Sequence, residues 1–173
     1  MLSYPGSHDS HVGRGCRPEV PHCVSPVQVL ERTGISFTLH EHVPIRTQSD
    51  IERELGLPVE QLLKTMVFRT GQTFILAALP MQRRVHYGRL AKAAGVPRAS
   101  LRQAEPEELR QLAMEPGGAS PVCGRDGVLV VFDSAVLDMD RVYCGSGRAD
   151  QSIEIDAGEL LRFLEPVTAA VTS

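Results

Sequence analysis

No apolar run in this sequence of 173 residues approaches the roughly 20 needed to cross a bilayer, so no membrane-spanning helix is expected. The first residues lack a cationic start followed by an apolar stretch, and no secretory signal peptide is expected either. Four cysteines (Cys16, Cys23, Cys123 and Cys144) include no C-x-x-C pair, a usage that predicts the reducing cytosol and a cytoplasmic protein. No Gly-x-Ser-x-Gly elbow surrounds Ser120, which argues against a serine hydrolase of that kind. The most telling absence is one of charge: residues 61–104 contain no Asp or Glu. They carry Lys64, Arg69, Arg83, Arg84, Arg89, Lys92, Arg98 and Arg102, while all 21 acidic residues of this chain of net charge −3 lie elsewhere. A basic surface on an acidic body suits a polyanion that must dock in one orientation. The plainer alternative, a solvated arginine-rich face, is less able to explain so complete a separation.

What is present describes one ordinary domain. Hydrophobic residues make up 42% and charged residues 23% of the chain, enough for a real core. Residues 1–23 are rich in Gly, Pro, Ser and His without periodicity. They are expected to be a disordered tail, or the product of an upstream start codon. His8, His11, Cys16, His22 and Cys23 fit no standard zinc spacing. From residue 24 onward the punctuation is regular. Ser25, Pro26 and Gln28 predict a helix start, Val24 and Val29 its staple and Gly34 its end. Thr47 with Asp50 starts a second helix that stops at Gly56, before Pro58. Residues 66–68 and 74–79 read as paired strands, and 87–94 as a helix closed by Gly95. Another helix is expected from Pro106, with Leu109, Leu112 and Ala113 on its apolar face. Strands follow at 128–132, 141–144 and 152–155, then a helix from Asp156 with Glu159 as its box partner. Short helices interleaved with strands predict an α/β domain over residues 24–173, with a mixed sheet.

Two features carry chemistry. Lys64 opens the apolar strand Thr65-Met66-Val67-Phe68, and an ammonium there is costly unless something anionic or polar meets it. Gly117-Gly118-Ala119-Ser120-Pro121 is a loop suited to close backbone approach, with freedom at the glycines and a fixed φ at the proline. Together they suggest a cation opposite exposed N–H groups, a place for an oxyanion or a phosphate.

The lysine and the Gly-x-x-x-Pro loop resemble the marks of the YbaK/prolyl-tRNA-synthetase-associated domain family, whose members hydrolyse misacylated tRNA. Further blocks agree in order: Glu41-His42-Val43-Pro44 with Thr47, the segment from Gly88 to Gly95, and Val142 to Gly147 leading to Ile153-Glu154-Ile155. The resemblance spans about residues 25–165. It implies a curved mixed β-sheet flanked by helices and an aminoacyl-tRNA deacylase that acts in trans. It further implies a small wrong amino acid, tRNA of proline type as the usual partner, and a synthetase as a further one. Hydrolysis of an activated ester needs little more than a placed water and a stabilised oxyanion, and no cofactor or metal is expected.

The resemblance assigns roles residue by residue. Lys64 would hold the ester carbonyl or the terminal phosphate as a fixed cation. Gly117, Gly118, Ala119, Ser120 and Pro121 would position the ester, with the Ser120 hydroxyl joining the backbone donors. His42 would lie near the pocket, although a structural hydrogen-bonding histidine is equally consistent. Gly145, Ser146 and Gly147 form a turn beside the pocket rather than a dinucleotide motif. Independently of the resemblance, the basic window would meet tRNA through Arg69, Arg83, Arg84, Arg89 and Lys92. Cys123, just past Pro121, is better read as a small loop residue than as a nucleophile. His40 and Ser152 stand where the cysteine-specific branch of the family carries Tyr and Asp, which favours water attack on alanyl, seryl or similar esters. The rival from another class is a non-catalytic module that binds tRNA or a synthetase. A hydrolase of other small acyl esters would leave the basic window unexplained.

Overall fold

Local signals start the helices where the sequence places them. Ser25 and Gln28 form a reciprocal capping box with Pro26 in the first turn, so α1 runs Pro26–Thr33 and stops at Gly34 with φ of 76°. Thr47 and Asp50 form the second box, at the head of α2 (Gln48–Glu54). The third helix, α3 (Tyr87–Ala94), begins at His86, whose ring accepts from the Arg89 N–H, and ends at left-handed Gly95. Asp156 accepts from the Glu159 N–H and opens α4 (Ala157–Leu164). These elements belong to a computed structural model that describes residues 23–45 and 47–173. The expected tail and its His/Cys cluster therefore lie, apart from Cys23, outside the described residues.

The strands are β1 (Phe37–Glu41), β2 (Leu63–Thr70), β3 (Thr73–Pro80), β4 (Arg102–Gln103), β5 (Leu129–Asp133), β6 (Arg141–Gly145), β7 (Gln151–Asp156) and β8 (Val167–Ala169). Five of them form a mixed sheet in the order β4-β2-β3-β5-β8, with β2 antiparallel to β3 and β5 parallel to both β3 and β8. The other three form an antiparallel sheet in the order β1-β7-β6. An isolated bridge from Leu62 to Tyr143 joins the two. The expected α/β domain with a mixed sheet flanked by helices is what folds. In β3 every residue from Phe74 to Leu79 is buried, as a central strand covered on both faces requires. In β7, Ile153 and Ile155 face inward and join Leu30, Val142 and Leu160 in one core cluster. A second cluster packs Leu90 and Ala91 of α3 against Phe68, Ile75 and Val131.

The segment expected to be a helix from Pro106 is a 3-10 helix, Pro106–Leu112, which ends in the left-handed residue Ala113 at φ 56°. Leu109 and Leu112 are buried as expected, but Ala113 has to turn the chain towards the glycine loop. Among the described residues no helix is long and apolar enough to cross a membrane.

Candidate functional site

A cavity of about 350 Å³ opens at the seam between the two sheets. Leu62, Leu63, Lys64 and Thr65 enter it from the start of β2, and Tyr143, Cys144 and Gly145 from β6. Gln151 and Ser152 of β7 and His42 just past β1 form a polar wall. Ile45, Ile51, Leu55 and Met81 form an apolar one, with Ile51 and Leu55 supplied by α2 and its C-cap. Gly117 and Ala119 complete the lining. Lys64 and the glycine loop thus meet in one pocket although about fifty residues separate them in sequence.

Lys64 is half-buried and pairs with no carboxylate among the described residues. Its pKa lies below the ordinary lysine value, first because burial penalises the charge and then because the Arg84 guanidinium stands nearby. Beside it the Thr65 hydroxyl oxygen is buried without a hydrogen-bond partner. A desolvated cation and an unsatisfied hydroxyl on consecutive residues of the cavity lining make a site that an oxygen-rich ligand would complete.

The glycines serve backbone contact with one another. Gly117 has φ of 86°, and a Cβ placed there would lie 2.5 Å from the Ile45 carbonyl oxygen. A Cβ on Gly118 would fall 2.4 Å from the carbonyl carbon of Arg148, and one on Gly145 would fall 2.0 Å from the Ala119 carbonyl oxygen. The Gly147 N–H donates to the Gly118 carbonyl at 2.7 Å, which pins the two glycine segments together. Gly145→Ala is therefore expected to destabilise the protein by about 1–3 kcal/mol or more, as overpacking does. Gly117→Ala should behave similarly through Ile45 and its positive φ, with the substrate's space a secondary matter. Thermal melts of the two variants check this, and an unchanged melting temperature for Gly145→Ala would contradict it.

Several expected site residues turn out to act on the scaffold. Ser120 is fully buried and does not line the cavity, so its hydroxyl, which accepts from the Val122 N–H at 3.2 Å, is not a donor facing the pocket. Pro121 is buried beside it. The Ser146 hydroxyl donates to the Gln151 carbonyl at 2.8 Å and accepts from the Arg148 N–H, fixing the turn. Gly118, Ser146 and Gly147 do not line the cavity, whereas Gly117, Ala119, Gly145 and His42 do. Burial pushes the Cys123 thiol up to about 11, which keeps it protonated and a poor nucleophile at neutral pH.

The basic window is divided in space. Arg69 is buried. Its guanidinium is held by Glu108 at 2.8 Å and Gln72 at 3.1 Å, and lies 4.5 Å above the Phe74 ring, which removes it from a tRNA surface. Glu108 lies just beyond the window in sequence yet folds back on it, and also takes Arg102 at 2.7 Å. Hydrogen bonds from Arg102 first, then from the Glu105 N–H and Arg69, hold its carboxyl down at about 2. Arg89 is exposed but donates to the Thr172 carbonyl. Arg83 is exposed and stands 3.6 Å from the Asp133 carboxylate. Arg84 and Lys92 are exposed, and Arg84 is close enough to Lys64 to depress its pKa. Arg83, Arg84 and Lys92 are thus the members of the expected tRNA-binding set left exposed, and Arg84 acts on Lys64 of the cavity.

Residues 42–163, which hold the cavity and both glycine segments, match the aminoacyl-tRNA editing domain family. The chain belongs to this family. Its editing domain is 33% identical over 102 residues to a proline–tRNA ligase of Xanthomonas campestris pv. campestris, covering 58% of this chain and 18% of the ligase. It is 29% identical over 107 residues to a proline–tRNA ligase of Thermosipho africanus, covering 61% and 18%. The chain thus spans less than a fifth of the length of these curated relatives. Among solved structures, the editing domain resembles a candidate trans-editing enzyme for prolyl tRNA synthetase, with TM-score 0.72 and 27% identity over 86% of this chain and 95% of that one. It shares its fold with the hypothetical protein APE2540, with TM-score 0.73 and 24% identity over 86% and 99%. The family and the fold are those that the motifs imply.

Proposed function

We propose that the chain is a deacylase that hydrolyses the ester of misacylated tRNA in trans, in the cytoplasm, removing a small amino acid from tRNA of proline type. The observation that carries this reading is Lys64, a half-buried ammonium in the cavity with no carboxylate among the described residues to neutralise it. An ester carbonyl that gains negative charge in the transition state is a fitting partner, because a preorganised cation stabilises that charge more than it does the ground state. A cavity of about 350 Å³ is of the size that takes a small ligand such as an aminoacyl group. The likeness to stretches of proline–tRNA ligases and to a candidate trans-editing enzyme supports the choice of tRNA, and makes a prolyl-tRNA synthetase a fitting partner.

The test is a deacylation assay on a panel that crosses alanyl, seryl, cysteinyl and prolyl esters with several tRNAs. Release of the small non-cognate amino acids from tRNA of proline type is the expected result. Binding without release on every member would replace the enzyme by a non-catalytic module.

Docking should be electrostatic. With Arg83, Arg84 and Lys92 meeting phosphates, tRNA affinity should fall steeply with salt through counterion release. Arg83→Glu together with Arg84→Glu should weaken binding at least tenfold at low salt while the fold persists, as filter binding and circular dichroism can show. Affinity independent of salt would reduce these residues to a solvated face.

A further inference from the structure

Ser152 lines the cavity, and its hydroxyl oxygen lies 2.8 Å from Nε2 of His42, 110 residues away in sequence. The other ring nitrogen, Nδ1, lies 2.8 Å from the Val43 carbonyl oxygen. A carbonyl only accepts, so Nδ1 must carry a proton. In the neutral ring Nε2 is then the bare nitrogen, and it accepts the proton of Ser152. A base, a hydroxyl and an orienting third group within hydrogen-bond reach make an arrangement that can move a proton. The pair faces the same cavity as Lys64.

We propose that Ser152 and His42 form a proton relay that activates the water attacking the aminoacyl ester. The proposal rests on the deacylase reading and adds to it the route of the proton. The attacking water donates a hydrogen bond to Ser152 Oγ. As its oxygen bonds to the carbonyl carbon, its proton passes to Ser152 Oγ and the proton of Ser152 passes to His42 Nε2. The negative charge develops on the carbonyl oxygen, on the side of Lys64. When the tetrahedral intermediate collapses, the bond from carbon to the ribose oxygen breaks. That oxygen takes the proton back through Ser152, leaving a free amino acid and a tRNA with its terminal hydroxyl restored. Ser152 is a poor candidate for the nucleophile itself. It sits within the central strand β7, between His40 of β1 and Gly145 of β6, where the ladder occupies the backbone that would otherwise form an oxyanion hole.

Other titratable and charged groups surround the pair. Asp150 interacts electrostatically with His42 and is held below its ordinary value first by its hydrogen bond from Arg148. Glu41 and Glu115 act on Arg148. Lys64 enters from β2 and Tyr143 from β6. Glu154, one turn of the pleat along β7, binds His40 at 3.0 Å and Arg141 at 2.6 Å. His40 is the second imidazole in this region and serves as the control.

The experiment is the pH dependence of single-turnover deacylation by the full chain on the mischarged tRNA it cleaves best. The wild-type rate should fall on acidification, through the range in which an imidazole takes up a proton. His42→Gln should lose about 100-fold at neutral pH and the acid limb with it, as loss of a general base does. Ser152→Ala should do the same, Ser152→Thr should restore both, and His40→Gln should keep the limb. A wild-type acid limb that persists in His42→Gln or Ser152→Ala overturns the relay and leaves the deacylase standing. An aminoacyl adduct on Ser152 in denaturing mass spectrometry overturns it in favour of a covalent route. A wild type that cleaves no mischarged tRNA removes the deacylase reading and the relay together.

Discussion

Lys64→Ala lowers the single-turnover deacylation rate about 100- to 1,000-fold, the usual loss when one preorganised electrostatic contact to a developing oxyanion is removed. The fold survives, because no described carboxylate depends on this ammonium. Stability holds or rises. Burial and Arg84 together depress the lysine's pKa, so below that value the folded state bears the strain of a charge that the unfolded chain carries freely. Between the depressed pKa and the ordinary value of 10.5 the unfolded chain binds more protons, and this group's contribution to stability rises with pH. In Lys64→Ala that contribution is gone, and stability at neutral pH should equal or exceed that of the wild type. Circular dichroism, a thermal melt and a quench assay separate the two effects. A near-normal rate would remove Lys64 from the chemistry.

Asp133→Ala has the largest expected effect on stability. The carboxylate is 1% exposed at the end of β5. Its Oδ2 accepts from the N–H groups of Val171 and Thr172 at 3.0 and 3.1 Å and from the Thr172 hydroxyl at 3.0 Å, and its Oδ1 from the Ala135 N–H at 3.0 Å. Removing it strands four donors in the interior, at a cost of about 3–5 kcal/mol. For a domain of this size that lowers the melting temperature by roughly 6–20 °C. The same segment donates from Ser173 to the Arg84 carbonyl and accepts from the His86 N–H at 2.7 Å, and it receives Arg89 on Thr172. Losing its anchor should therefore also loosen the loop that carries Arg84, which acts on Lys64, and weaken tRNA binding. A loss below about 1 kcal/mol would mean that other contacts hold the segment.

Much of this was legible in the sequence where the cause is local. Ser25 with Gln28, Thr47 with Asp50 and Asp156 with Glu159 each act within one turn, so a reader of the chain meets the whole signal in four residues. Gly34 and Gly95 stop their helices for the same reason. The parts that were not legible depend on distant partners. Arg69 looks like surface charge until Glu108 folds back across 39 residues to hold it. The strand β8 exists because β5 offers it an edge, and β2 extends back to Leu63 because β3 pairs with it as far as Pro80. Ser120 and Ser146 carry hydroxyls that suggest chemistry, but the backbone groups two residues on claim them. Lys64 and the glycine loop stood out because both are locally odd. Ser152 stands out in the sequence only for replacing the Asp of the cysteine-specific branch, and its contact with His42 is what makes it a candidate for chemistry.

The measurement that bears most directly on the central claim is the fate of the aminoacyl ester itself. Excess wild-type protein and Lys64→Ala are mixed side by side with alanyl- and seryl-tRNA of proline type, and the remaining charged tRNA is followed over time, with binding measured on the same samples. The account predicts rapid loss of the ester with wild type, a slowing of about 100-fold or more with the variant, and bound tRNA in both. If the esters stay intact with wild type while the tRNA binds, the chain is a binding module and the catalytic account is wrong.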